Sequence, residues 1–97
     1  MDEMDKKAMG LVTYWLKKRI GMIPAFSVEI LTKMKVFGNI EYFLKTNLAD
    51  TNLYKVSYDG LRQIWYLVCY NGFESVKYMD DTVRAEIMRK VENDLSK

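Results

Sequence analysis

Few side chains in this sequence could do chemistry, and those that are missing decide most of the reading. Histidine is absent from all 97 residues, which removes Ser-His-Asp and Cys-His catalysis, histidine-ligated metals and histidine as a pH switch. Cys69 is the only cysteine. A zinc site would need several thiolates, and an internal disulfide would need two. A single Cys between Val68 and Tyr70 reads as a small buried hydrophobe. Carboxylates alone could hold magnesium, but the adjacent pair Asp80-Asp81 stands where a helix start favours acids and reads as a cap. Tyr and Lys do acid–base work only where a pocket shifts their pKa values, and no spacing points to such a pocket. A non-enzymatic protein with no cofactor and no metal is expected.

Binding is the remaining class, and charge is its first indicator. The net charge is +2, too small to imply nucleic acid by itself. The middle of the chain is richer in cations, with Lys17, Lys18, Arg19, Lys33, Lys35, Lys45, Lys55 and Arg62 against Glu29, Glu41, Asp50 and Asp59. That excess is compatible with an anionic partner and equally with a solvated mixed-charge surface. The Lys17-Lys18-Arg19 run is either the cationic last turn of a helix or a phosphate contact.

The elements that must position these residues follow from periodicity and turn signals. Hydrophobic residues make up 49% of the chain and charged ones 29%, so a single globular domain over residues 1–97 is expected. No apolar run approaches the roughly 20 residues of a membrane span, and no membrane partner is expected. The start, MDEMDKKAMG, does not have a signal peptide's layout. With the lone cysteine, a reducing, cytoplasmic setting fits.

Residues 3–20 have a broad apolar helical face built on two stripes, Met4, Ala8, Leu11 and Trp15, and Met9, Val12, Leu16 and Ile20. Ser27 is a candidate N-cap for a second helix ending near Lys35 to Phe37, and Asn39 for a third from Ile40 to about Leu48. The stretch LYKVSY-DG-LRQIWYLVCY-NG-FESVKYM over 53–79 then reads as a three-stranded antiparallel meander. Asp59-Gly60 and Asn71-Gly72 are preferred fillings of two-residue hairpin turns.

Those turns would oppose Tyr58 to Leu61, Val56 to Gln63 and Tyr54 to Trp65, then Tyr70 to Phe73, Leu67 to Val76 and Trp65 to Tyr78. Period-two alternation sorts the side chains onto two faces. Tyr54, Val56, Tyr58, Leu61, Trp65, Leu67, Cys69, Val76 and Tyr78, with Gln63 and Glu74 as polar members, share the face that helices should cover. Leu53, Lys55, Ser57, Arg62, Ile64, Tyr66, Val68, Tyr70, Phe73, Ser75, Lys77 and Met79 share the other. The last helix opens at Asp80-Asp81-Thr82 and runs to about Leu95. Its stripe of Val83, Ile87, Val91 and Leu95 either lies on the core or pairs with a copy in a homodimer. The expected class is α+β: two to three N-terminal helices, a three-stranded meander and a C-terminal helix.

SVEILTKM, GNIEYFLKTNL and LYKVSYDGLRQIWYL, in that order, resemble a winged-helix DNA-binding domain over about residues 24–68. The resemblance implies a helix-turn-helix around Gly38 and a wing with Asp59-Gly60-Leu61-Arg62 at its tip. It implies a DNA-binding regulator without catalysis. Asn39, Glu41, Tyr42, Lys45, Thr46 and Asn47 would then lie on or near a recognition helix, with Lys35 close by, and Lys55 and Arg62 would meet phosphates.

Two other readings stand beside it. Lys55, Arg62, Tyr66, Tyr70, Phe73 and Lys77 on one sheet face could stack bases and track a single strand, unless other elements cover that face. Alternatively the aromatics, 2 Trp, 7 Tyr and 4 Phe, leave a patch that docks a protein. Small cofactor-free phage or viral inhibitors of a host protein, anti-CRISPR proteins among them, belong to that class. Clustering of the central cations on one side would favour DNA; scattering around an aromatic patch would favour a protein partner.

Overall fold

A computed structural model describes residues 2–20, 27–48, 52–70 and 74–90. Helix α1 (Glu3–Ile20) leads into five strands: β1 (Val28–Val36), β2 (Asn39–Thr46), β3 (Leu53–Asp59), β4 (Ile64–Cys69) and β5 (Glu74–Met79). A C-terminal helix over residues 80–90, α2, begins as an α-turn at Asp80–Thr82, is wound as a π-helix over Val83–Ile87 and returns to α. The strands form one antiparallel sheet in the order β1-β2-β3-β4-β5.

α1 forms where its periodicity predicts. Asp2 Oδ1 accepts the Asp5 amide at 2.8 Å and caps the first turn. Acids stand in that turn and Lys17, Lys18 and Arg19 in the last, in accord with the helix dipole. The helix lays Ala8, Leu11, Val12, Trp15 and Leu16 on the sheet, against Tyr42, Leu44, Tyr54, Val56, Trp65, Leu67 and Cys69. Val83 and Ile87 of α2 complete this core.

The expected second and third helices are not formed: residues 28–36 and 39–46 are strands paired as a hairpin. The two helices that a winged helix would place over 27–48 are therefore strands. Over eight or nine residues, helical and strand periodicities can both be satisfied. Ile40, Phe43 and Leu44 fit a helical face, but Ile40, Tyr42, Leu44 and Thr46 alternate as a strand. The strand wins because it buries Tyr42, Leu44 and Thr46 and supplies backbone partners along β3, which would otherwise be an open edge.

In β1 the register shifts between Ile30 and Thr32. Leu31 is the extra residue of this bulge, and the alternation reverses across it. Lys33 thereby lies opposite Tyr42, on the helix-covered side, where its Nζ reaches Asp2 Oδ2 and Asp5 Oδ1, both at 2.8 Å. A bulge and an inward lysine also disfavour pairing of this edge with another strand.

The meander is present, with one turn different. Trp65 opposes Tyr78 and Leu67 opposes Val76, as the Asn71-Gly72 turn predicts, although that turn and Phe73 lie outside the described residues. Between β3 and β4, however, Tyr58 opposes Trp65 and Asp59 opposes Ile64. The loop is thus Gly60–Gln63, and Leu61 stands in solvent rather than on the core face. Asp59 explains the longer loop, since its Oδ1 accepts the amides of Leu61 (3.1 Å) and Arg62 (3.2 Å). The slip is by an even number of residues, so the division of side chains between faces survives.

Gly60 has a second reason to be glycine. A Cβ there would lie 2.3 Å from the Gly38 carbonyl oxygen on the neighbouring hairpin, whereas a Cβ on Gly38 would meet nothing within 4 Å. Gly60→Ala is expected to cost about 1–3 kcal/mol through that collision, and Gly38→Ala less than about 1 kcal/mol. Urea unfolding midpoints of the two variants check the ranking.

Candidate interaction surface

The two faces of the sheet differ in what covers them. α1 and α2 pack on one. On the other, no described element lies over the side chains of Met34, Phe43, Leu53, Tyr66, Val68, Tyr70 and Met79. Cross-strand register aligns them in rows: Met34, Glu41, Ser57, Tyr66 and Lys77 in one, and Thr32, Phe43, Lys55, Val68 and Ser75 in the next. Met34, Leu53, Tyr66, Tyr70 and Met79 are exposed. Phe43 and Tyr70 stack nearly parallel, with ring centroids 6.5 Å apart and 6° between planes.

The charges on this open face are mixed. Lys55 Nζ lies 3.1 Å from Glu41 Oε1, and Lys45 Nζ lies 3.5 Å from Glu29 Oε2. Among the described residues this face carries Lys45, Lys55 and Lys77 beside Glu29, Glu41 and Asp59, but Asp59 turns its carboxylate to the β3–β4 loop and Lys77 makes no ion pair. The remaining central cations lie elsewhere. Lys17, Lys18 and Arg19 belong to the helical layer, where Lys18 sits over the Tyr14 ring and Arg19 Nη2 meets Glu74 Oε1 at 2.6 Å. Lys33 is held by Asp2 and Asp5, and Arg62 sits in the β3–β4 loop. The cations are scattered.

The residues singled out from the sequence do not converge. Tyr42 is fully buried, and its hydroxyl donates to Asp5 Oδ1 at 2.8 Å. Thr46 is buried, its Oγ1 accepting the Leu48 amide. Asn39 Oδ1 accepts the Gly60 amide and ties two loops together, and Asn47 Oδ1 accepts the Ser27 amide. Lys35 is exposed near the β1–β2 turn. Lys45, Thr46 and Asn47 do line a cleft of about 440 Å³ with Ser27, Glu29 and Asn52, where Lys45 pairs with Glu29, Asn47 Oδ1 accepts the Ser27 amide and Thr46 Oγ1 accepts the Leu48 amide. Of the nine, Lys55 and its partner Glu41 lie near the centre of the open face. Of the stripe expected either to lie on the core or to pair with a copy, Val83 and Ile87 are buried in the chain's own core, and Val91 and Leu95 lie outside the described residues. Asp80 does not cap α2. Its carboxylate points inward and accepts the Trp65 indole N–H at 2.9 Å.

Electrostatics bind α1 to β1. Hydrogen bonding to Lys33, then to the Asp5 amide, holds the Asp2 carboxyl well below the usual carboxylate range. Hydrogen bonds to Asp2 and Asp5 raise the Lys33 ammonium. Burial, then the bond to Asp5, raises the Tyr42 phenol. A depressed carboxyl contributes stability above its unfolded value and loses it as pH falls through the folded one; the raised Tyr and Lys contribute below their unfolded values and lose it as pH rises. Stability should fall on the acid side below about pH 4 and on the alkaline side above about pH 10. Asp2→Asn should flatten the acid limb in urea midpoints measured across pH.

Among the described residues, the site and fold together define a one-layer antiparallel meander with helices on one side and an apolar face carrying charges of both signs on the other. The sequence matches no protein-family model, and no curated protein or solved structure is detectably similar to it. Among the described residues no group of acidic or thiol side chains is arranged to hold a metal ion, and no helix is long and apolar enough to cross a membrane.

Proposed function

We propose that this chain is a non-enzymatic protein-interaction module that docks a protein partner on the open face of its sheet. The observation that carries the reading is the pairing of two of that face's three lysines with its own acids, Lys55 with Glu41 and Lys45 with Glu29, among exposed Tyr66, Tyr70, Leu53 and Met79. A polyanion gains little from cations already neutralised, because its affinity comes from releasing counterions at free lysines and arginines. A protein surface that is apolar with interspersed charges of both signs can mirror such a face. The size is suitable: five strands about 4.8 Å apart and six residues of about 3.4 Å give roughly 500 Å² in projection. The corrugated accessible area is larger, of the order of the ~800 Å² per partner in a standard complex.

Fluorescence anisotropy on mixed-sequence duplex and single-stranded DNA, at low and at physiological salt, tests the choice between partner classes. No binding is expected at either salt. Binding that weakens steeply with salt would restore the DNA reading, and a preference for single strands would assign bases to Phe43, Tyr66 and Tyr70.

A further inference from the structure

At one end of the sheet the β1–β2 and β3–β4 loops lie side by side, and each lifts one large apolar side chain clear of the protein. Phe37 is 102% exposed and Leu61 93%. Neither belongs to the core, and neither is required by its turn. Phe37 has φ 56°, a left-handed conformation that glycine and asparagine adopt readily and a bulky residue adopts at a cost. The loops that carry the pair are braced. The Gly60 amide donates to Asn39 Oδ1 at 3.3 Å, the Gln63 amide to the Asp59 carbonyl at 2.8 Å, and the Asp80 amide to the Gln63 carbonyl at 3.0 Å. The backbones of Gly38 and Gly60 touch closely enough to exclude a Cβ. Two apolar prongs are thus presented together on a fixed platform.

We propose that this tip is a membrane-surface contact: Phe37 and Leu61 enter the interfacial region of an anionic bilayer, while Lys35 and Arg62 meet its headgroups. Shape favours lipid over a protein pocket. A protein hot spot sits within a patch whose rim excludes water, and these side chains stand above their loops with no rim. A bilayer interface needs only apolar depth. Charge agrees with this. Lys35 and Arg62 are the nearest charged residues along each loop and both are exposed; Arg62 Nε lies 3.9 Å from Asp59 Oδ2, a loose solvent-exposed pair that holds it only weakly. The acids at this end are engaged: Asp59 with the Leu61 and Arg62 amides, Asp80 with Trp65, and Asp81 with Arg84 at 2.7 Å. Two apolar groups and two cations give the reversible, salt-sensitive attachment of a surface-bound protein rather than a spanning one. The site is separate from the open face and does not depend on its occupant.

Co-sedimentation of the full chain with vesicles of phosphatidylcholine, with and without phosphatidylglycerol, tests it. Binding to the mixed vesicles that weakens with salt, and much weaker binding to phosphatidylcholine alone, is expected. Phe37→Asn and Leu61→Ser should each weaken partitioning about tenfold or more, the loss that goes with one buried apolar side chain. Phe37→Asn should leave the thermal midpoint unchanged or higher, because asparagine tolerates positive φ. Lys35→Gln with Arg62→Gln should remove the preference for anionic vesicles. No binding to mixed vesicles at low salt would overturn the assignment and leave a protein pocket as the tip's occupant. Binding that Phe37→Asn and Leu61→Ser do not alter would overturn it too.

Discussion

Trp65→Ala is expected to remove about 3–5 kcal/mol of stability, a large part of the roughly 5–15 kcal/mol that holds a domain together. Trp65 sits in β4, flanked by β3 and β5, and is fully buried. Its ring packs 4.7 Å from that of Tyr58, and its Nε1 donates to Asp80 Oδ1 at 2.9 Å. Alanine would open a cavity beneath α1 and α2 and leave Asp80 without its nearest donor. Trp65→Phe, which keeps most of the ring and loses only the N–H, should cost less, about 1–3 kcal/mol. Urea unfolding of the two variants measures the difference. Near-equal losses would mean that the hydrogen bond, not the ring, accounts for the effect.

The second large effect is expected at Asp80. Its carboxylate is buried between two close donors, Trp65 at 2.9 Å and Arg84 Nε at 3.1 Å, with the Lys7 ammonium 3.9 Å away. Lys7 is itself buried. Asp80→Ala would strand that ammonium and the indole N–H, at a cost of about 3–5 kcal/mol. Lys7→Met should cost much less, since Asp80 keeps Trp65 and Arg84 and the methionine fills the lysine's apolar volume. The contrast separates a network centred on the carboxylate from a simple ion pair. Equal losses in thermal or urea unfolding would point to the ion pair.

The physics of these residues explains what could be read in advance. α1 was legible because eighteen residues give enough turns for a broad apolar face and a charge gradient along the helix to agree. The division of the 53–79 meander into faces was legible because alternation is indifferent to an even slip, so even the mistaken Asp59-Gly60 turn left Trp65, Leu67 and Cys69 on the core side. β1 and β2 were not. Their eight or nine residues satisfy both periods, and the deciding term, the backbone pairing along β3, is not written in either segment. Nor was the Leu31 bulge, which sends Lys33 to the α1 acids.

The residues of the proposed docking face were legible only in part. Lys55, Tyr66, Tyr70 and Lys77 lie on the face that sequence alternation assigned them, and that face is open. The lysines' acidic partners could not be foreseen, because Glu29 and Glu41 were placed on helices. Tyr42 and Thr46 looked like surface residues for the same reason and are core. Sequence alternation assigns Leu61 to the core face opposite Tyr58, and Phe37 falls at the end of the expected second helix. An apolar residue inside a turn, where polar ones are the rule, was the signal.

The claim that the open face is the docking surface is tested most directly by photo-crosslinking in the cells that produce the protein. A benzophenone side chain would replace Tyr66 or Lys77 on that face, and Ala85 or Glu86 on the exposed side of α2. The expected result is a discrete protein adduct from Tyr66 and Lys77 positions and none from the α2 positions. Adducts from α2 alone, or to nucleic acid from the sheet, would contradict it.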